Sequence, residues 1–169
     1  MNIKQLNKLP RDVLFSEFEK CCGSNNWIKG MVNSVPFDDI ESLHKVSDKI
    51  WNGLSGKDYL EAFNHHPQIG DVKSLKKKFA STANWANNEQ KATRLASDEV
   101  LQQLKSGNDK YLKKFGFIFI VCATGKSAQQ LLDLLNDRLL NDNATELHNA
   151  AAEQNKITHL RLDKLLSFD

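Results

Sequence analysis

Phe115-Gly116-Phe117-Ile118-Phe119-Ile120-Val121-Cys122-Ala123 decides the fold class of this chain. It is the one β-prone stretch, rich in aromatic and branched side chains and nearly free of polar ones. Alone it would be a buried strand. A strand without a partner leaves its backbone N–H and C=O groups unpaired, and no second run of similar quality exists in the sequence. The stretch therefore reads as a helix end leading into a buried extended segment near 117–123. The fold that follows is all-α, a single-domain multi-helix bundle.

The periodicity on either side of that segment is helical. Thr124-Gly125 ends it, and Ser127 to Leu140 carries Leu131, Leu132, Leu134, Leu135 and Leu139 on an amphipathic helix. From Asn143 to Leu166, Leu147, Ala150, Ala151, Ile157, Leu160 and Leu165 mark one face, with acids early and bases late as the helix dipole prefers. Upstream, Ser97 to Phe115 reads as helical with an interruption near Ser106-Gly107-Asn108, and Trp85 to Leu95 as a further helix. In the first third, Pro10 suits a first turn and Gly23 a stop, bounding a helix with Val13, Leu14, Phe15, Phe18 and Cys21 or Cys22 at helical spacing. Trp27, Ile28 and Met31 continue in a short helix that ends before Val35-Pro36-Phe37, because the residue before proline avoids helical angles. Asp38 or Asp39 caps a helix carrying Ile40, Leu43, Val46, Ile50 and Trp51, and Ser55 caps another that ends near Phe63. No repeat, low-complexity tract or long linker divides the chain.

Composition narrows the partners. At 169 residues, with 40% hydrophobic and 26% charged side chains, the sequence suits one globular unit, and a domain of that size buries about 70% of its unfolded surface. A net charge of +2 with dispersed basic residues lacks the field that draws nucleic acid. No apolar run approaches the roughly 18 residues that span a bilayer. Cys21, Cys22 and Cys122 form an odd set with two adjacent members, so a disulfide framework is not expected. With no signal segment and no peroxisomal tripeptide at Ser167-Phe168-Asp169, a cytoplasmic protein acting on a small molecule is expected.

The residues suited to chemistry stand at breaks in the pattern. Asn64 to Asp71 interrupts all periodicity around His65-His66-Pro67-Gln68-Ile69-Gly70-Asp71, and an imidazole held there could give and take protons, a role worth roughly 10²–10⁴ in rate. A histidine before proline is more often a plain turn residue, and spacing does not separate His66 from His65. Glu89-Gln90 falls in a helical window; a partly buried Glu89 would raise an adjacent imidazole pKa, whereas the commonest fate of glutamate is solvent. Arg161 stands four residues after Ile157 and four before Leu165, on or near the apolar face, where a guanidinium either holds an anion or snorkels outward. The histidines and cysteines form no zinc-type spacing, so no metal is expected. Gly125-Lys126-Ser127 lacks the upstream glycine of a phosphate loop, and Lys73 to Lys78 reads as a solvated face.

Taken together, Phe18-Glu19 with Asn26-Trp27, Val35-Pro36-Phe37, the run His66 to Asp71, Glu89-Gln90, Phe115 to Ala123, Arg138-Leu139 with Asn141, and Glu146-Leu147 through Leu160-Arg161-Leu162 resemble the 2-oxo-4-hydroxy-4-carboxy-5-ureidoimidazoline (OHCU) decarboxylases over nearly the whole chain. The resemblance implies a cofactor-free, all-α homodimer that forms (S)-allantoin in urate breakdown. By position it assigns His66 as the catalytic histidine, Pro67 as its pocket neighbour, Glu89 and Gln90 as the pair contacting substrate, and Arg161 as an anchor. Phe119, Ile120, Val121, Cys122 and Ala123 match a stretch whose backbone holds the ureido and ring groups. One departure is Ala86, where many relatives carry serine. A rival from another class is a non-catalytic helical interaction module; a second is a cofactor-free hydrolase acting on the same ureido compounds.

Overall fold

A computed structural model describes residues 1–67 and 98–166. Among them the chain forms eight helices and no strand: α1 (Ile3–Leu6), α2 (Arg11–Cys21), α3 (Asn25–Asn33), α4 (Ile40–Asn52), α5 (Gly56–Asn64), α6 (Asp98–Phe115), α7 (Ala128–Arg138) and α8 (Asn143–Leu166). Gln68 to Asp71, Lys73 to Lys78, Ala86, Glu89, Gln90 and the helix expected over Trp85 to Leu95 lie outside the described residues. The chain divides into two compact units, Met1–His66 with Leu147–Asp169, and Pro67–Glu146.

In the first unit, α2 begins after Pro10, which serves as the N-cap. Leu14, Phe18 and Cys21 recur at i, i+4 and i+7 and are buried, while Val13 faces solvent. Ser24 caps α3 by accepting from the Trp27 N–H, and the Phe18 and Trp27 rings meet edge to face at 6.0 Å. Trp27 is fully buried, and its Nε1–H donates to Ser47 Oγ at 3.2 Å. That bond permits the burial of Ser47 on α4 beside Leu43 and Trp51, whereas the expected face residue Ile40 is 44% exposed. Asn7 closes the loop after α3 by bonding both the N–H and the carbonyl of Phe37. The Asp58 carboxylate accepts from the backbone N–H and hydroxyl of Ser55 and so starts α5.

The bounds expected for α8 hold, but its buried face differs from the apolar one. Ala150, Ala151, Gln154, Thr158 and Leu162 are buried, whereas Leu160 is 43% exposed and Ile157 half-buried. Two polar side chains take core positions because each is hydrogen-bonded there, which removes most of the cost of burying them.

The second unit contains the segment that decided the fold class. The break expected near Gly107 is absent, and α6 runs without interruption from Asp98 to Phe115. Gly107 instead serves close packing, since a Cβ there would meet Leu135 Cδ2 of α7 at 2.6 Å. Gly116, with φ of 78°, ends α6 in a conformation that glycine adopts readily. The chain then runs through 117–123 as neither helix nor strand. Phe117, Phe119 and Ile120 are buried, and the ring of Tyr111 meets those of Phe119 and Phe117 at 5.2 and 5.8 Å. Gly125, with φ of 76°, turns the chain toward Ser127, which caps α7.

Candidate active site

His66 follows the C-cap of α5, its N–H bonded to the Phe63 carbonyl. Its ring is half-buried, and Nε2 lies 2.5 Å from Oε1 of Gln154, a residue with no exposed surface. Gln154 is anchored in turn, for its Nε2 donates to Thr158 Oγ1 at 3.2 Å and the Thr158 hydroxyl donates to the Gln154 carbonyl at 3.0 Å. His65 turns elsewhere. Its ring occupies the space beside Gly23, where a Cβ would stand 2.2 Å from His65 Cγ. The two adjacent histidines therefore have different surroundings, and only His66 engages the buried face of α8.

Arg161 lies on that same face, seven residues beyond Gln154 and hence about 10 Å along the axis. It is half-buried, and Nη1 donates to the Cys21 carbonyl at the end of α2 at 3.2 Å. Arg161 also lines an open cavity of about 510 Å³ together with Glu17, Lys20, Cys21 and Leu165, and His66 is not part of that lining. Burial pushes the Cys21 thiol up to about 12, with the Arg161 charge offsetting part of the effect. Burial likewise raises Cys22 to about 11, against hydrogen bonding with Ser24 and Thr158. Both thiols are thus held protonated and are poor nucleophiles at neutral pH.

In the second unit a buried polar cluster fixes the extended segment. Arg138 Nη1 donates to the Ile120 carbonyl at 2.7 Å and Nε to Glu146 Oε1 at 2.6 Å, while its guanidinium lies 4.6 Å from the Phe119 ring centre. The Tyr111 hydroxyl donates to the same Glu146 oxygen, and Asn141 Nδ2 donates to the other at 2.8 Å. Burial disfavours the Glu146 charge, but the bonds from Arg138, Asn141 and Tyr111 outweigh it and hold the carboxyl below its ordinary range. Burial and the neighbouring Glu146 push the Tyr111 hydroxyl far up, so it remains a donor. Lys126 bonds the carbonyls of Cys122 and Ala123 through Nζ and backbone N–H respectively. Ile120, Cys122 and Ala123 thus each present a carbonyl already held by one donor, and Val121 is half-buried.

The expected site residues therefore stand as follows. In the first unit His66 bonds Gln154 of α8 and Arg161 stands seven residues further along that helix; Pro67 and 119–123 belong to the second; Glu89 and Gln90 lie outside the described residues. Among the described residues no group of three histidine, cysteine or acidic side chains gathers as a metal site. Gln154, Thr158 and the Arg138–Glu146 pair escaped composition and periodicity. The available signal was a polar residue at 154, four after Ala150 and three after Ala151, interrupting an otherwise apolar stripe.

Residues 7–163 match the family model described as OHCU decarboxylase. The uric acid degradation bifunctional protein TTL of Arabidopsis thaliana is 40% identical over 153 residues, 89% of this chain and 47% of that protein, so the chain spans about half the length of this relative. A protein of Halalkalicoccus jeotgali named 2-oxo-4-hydroxy-4-carboxy-5-ureidoimidazoline decarboxylase is 25% identical over 171 residues, 98% of this chain and 92% of its own. A crystal structure of OHCU decarboxylase in the presence of (S)-allantoin superposes with a TM-score of 0.72 at 38% identity, covering 90% of this chain and 98% of that one. A match that runs through both compact units, from before α2 to within the last turn of α8, makes this chain a member of the OHCU decarboxylase family.

Proposed function

We propose that the chain is a cofactor-independent carboxy-lyase that converts 2-oxo-4-hydroxy-4-carboxy-5-ureidoimidazoline to (S)-allantoin and CO₂ in urate breakdown, its two units acting as one catalytic domain. The observation that carries the reading is His66: the position matching the family's histidine bears an imidazole oriented by a fully buried amide. An ordinary solvated turn histidine has no such partner. The match over 7–163 and the 38% identical structure solved with (S)-allantoin supply the substrate class.

The chemistry asks little of the protein beyond placement. The bond from the ring carbon to the carboxylate breaks, and its electron pair passes into the adjacent ring C=N, whose nitrogen takes one proton from solvent. CO₂ leaves, and the ring serves as its own electron sink. The remaining ene-ol becomes a carbonyl when its hydroxyl loses a proton and the ureido-bearing carbon gains one on a single face. His66 takes the first and delivers the second, ending as it began. Such a transfer contributes roughly 10²–10⁴ in rate, and the rest comes from orientation and exclusion of water. Glu89 orients the imidazole or binds substrate N–H and O–H groups, Gln90 and Pro67 line the pocket, Arg161 holds an anionic or carbonyl oxygen, and the backbone of Phe119 to Ala123 binds the ureido and ring groups. With Ala86 in place of serine, a backbone group or water makes the contact a hydroxyl would make. The working protein in this reading is a cytoplasmic homodimer.

The test is substrate generated in the cuvette from urate by the preceding activities, with and without this protein. The reading predicts faster CO₂ release and a growing circular-dichroism signal of (S)-allantoin. An unchanged racemic course, or ammonia in place of CO₂, contradicts it.

A further inference from the structure

We infer that Gln154 is a positioning residue that fixes His66 as the Nε2–H tautomer, so that Nδ1 is the nitrogen that gains and loses the proton. The inference rests on His66 being the proton carrier. It starts from the single hydrogen of the Thr158 hydroxyl, which is committed to the Gln154 carbonyl one turn earlier at 3.0 Å. Toward the Gln154 side chain Thr158 is then an acceptor, and the group that faces it at 3.2 Å is the amide NH₂. The amide oxygen is left facing His66 Nε2 at 2.5 Å. An amide oxygen only accepts, so Nε2 carries the hydrogen in the neutral ring as well as in the charged one.

Burial makes the arrangement firm. Gln154 has no exposed surface and Thr158 has 1%, so water does not stand in for either partner, and the opposite tautomer would set two lone pairs against each other in a dry site. The arrangement also suits a shuttle. When Nδ1 takes the proton from the substrate hydroxyl, the bond from Nε2–H to Gln154 stays in place and gains charge assistance; when Nδ1–H delivers that proton to carbon, the ring returns to its starting tautomer. Only one nitrogen changes state in the cycle, and nothing has to reorient.

Two-bond ¹H–¹⁵N correlation spectra of histidine-labelled protein read the tautomer directly, beside the pH profile of (S)-allantoin formation. The wild type should show His66 as one neutral species with hydrogen on Nε2. Gln154→Met keeps the length of the side chain without the acceptor; it should give mixed tautomers and a kcat lower by about 10–100-fold, as loss of an orienting partner typically does, with KM changing less. Gln154→Glu keeps an acceptor and adds charge, so it should restore the tautomer and shift the acid limb of the pH profile upward. Should Gln154→Met fail to fold, Thr158→Val, which removes the anchor of the amide and leaves Gln154 itself in place, carries the same comparison. Hydrogen on Nδ1 or a tautomer mixture in the wild type overturns the inference, as does unchanged kcat in both Gln154→Met and Thr158→Val. If the wild-type tautomer is as expected but His66→Ala turns over normally, the carrier role of His66 falls and the ring assignment alone survives.

Discussion

Replacing Arg138 by methionine should cost the second unit several kcal/mol of stability, about 3–5, and the loss should depend on pH in a defined direction. The guanidinium is 9% exposed, and it serves Glu146, the Ile120 carbonyl and the Tyr111 hydroxyl at once. Methionine leaves a carboxylate with no exposed surface without its guanidinium partner, and breaking a buried pair in this way costs about 3–5 kcal/mol at pH 7. The wild-type Glu146 pKa is lowered. Its contribution is therefore complete above the unfolded value of about 4.3 and is lost as pH falls through the lower folded value. In Arg138→Met the opposing effect of burial prevails and the folded pKa rises, so acid protonates the carboxyl and relieves the variant. Urea unfolding followed by far-ultraviolet circular dichroism should show the gap between wild type and variant at its widest near pH 7 and shrinking toward pH 4. The double variant Arg138→Met/Glu146→Gln should recover part of the loss, because the stranded charge is gone. A gap below about 1 kcal/mol, or one constant across that range, would refute the argument that a charge is being compensated.

Gly107→Ala gains about 1 kcal/mol of helix propensity yet should lower stability by about 1–3 kcal/mol through overpacking, because the new methyl meets Leu135 at 2.6 Å; a raised melting temperature would contradict the close approach. Ser47→Ala strands the buried Trp27 N–H and should cost about 1–3 kcal/mol, read from the urea midpoint. Cys21 and Cys22, with thiols raised to about 12 and about 11, should resist iodoacetamide at pH 8 until urea unfolds the chain; rapid labelling of the native protein at either position would refute their burial.

The sequence announces the fold class through an absence, since a single β-prone run with nothing to pair with leaves helix as the only economical solution, and 117–123 does lie between two helices without forming a strand. The span from about Asn143 to Leu166 was legible because its apolar positions recur at helical spacing, with acids early and bases late. Gly107 was not, for glycine in a helical window looks like a break when the reason for it is the approach of α7, a partner that local sequence does not contain. The polar core of α8 was hidden for a related reason. Gln154 and Thr158 look like surface positions until His66, 88 residues away in sequence, supplies the bond that permits their burial. Arg138 entered only through resemblance, since an arginine in the last turn of a helix reads as an ordinary dipole partner. His66 and Arg161 were legible as candidates, yet the bond of His66 to the helix that carries Arg161 required coordinates.

The most direct measurement is the enantiomeric composition of allantoin formed by His66→Ala from freshly generated substrate. His66→Ala should form racemic product at a rate lower by roughly 10²–10⁴, against (S)-allantoin from the wild type. Full (S)-selective turnover by His66→Ala would contradict it.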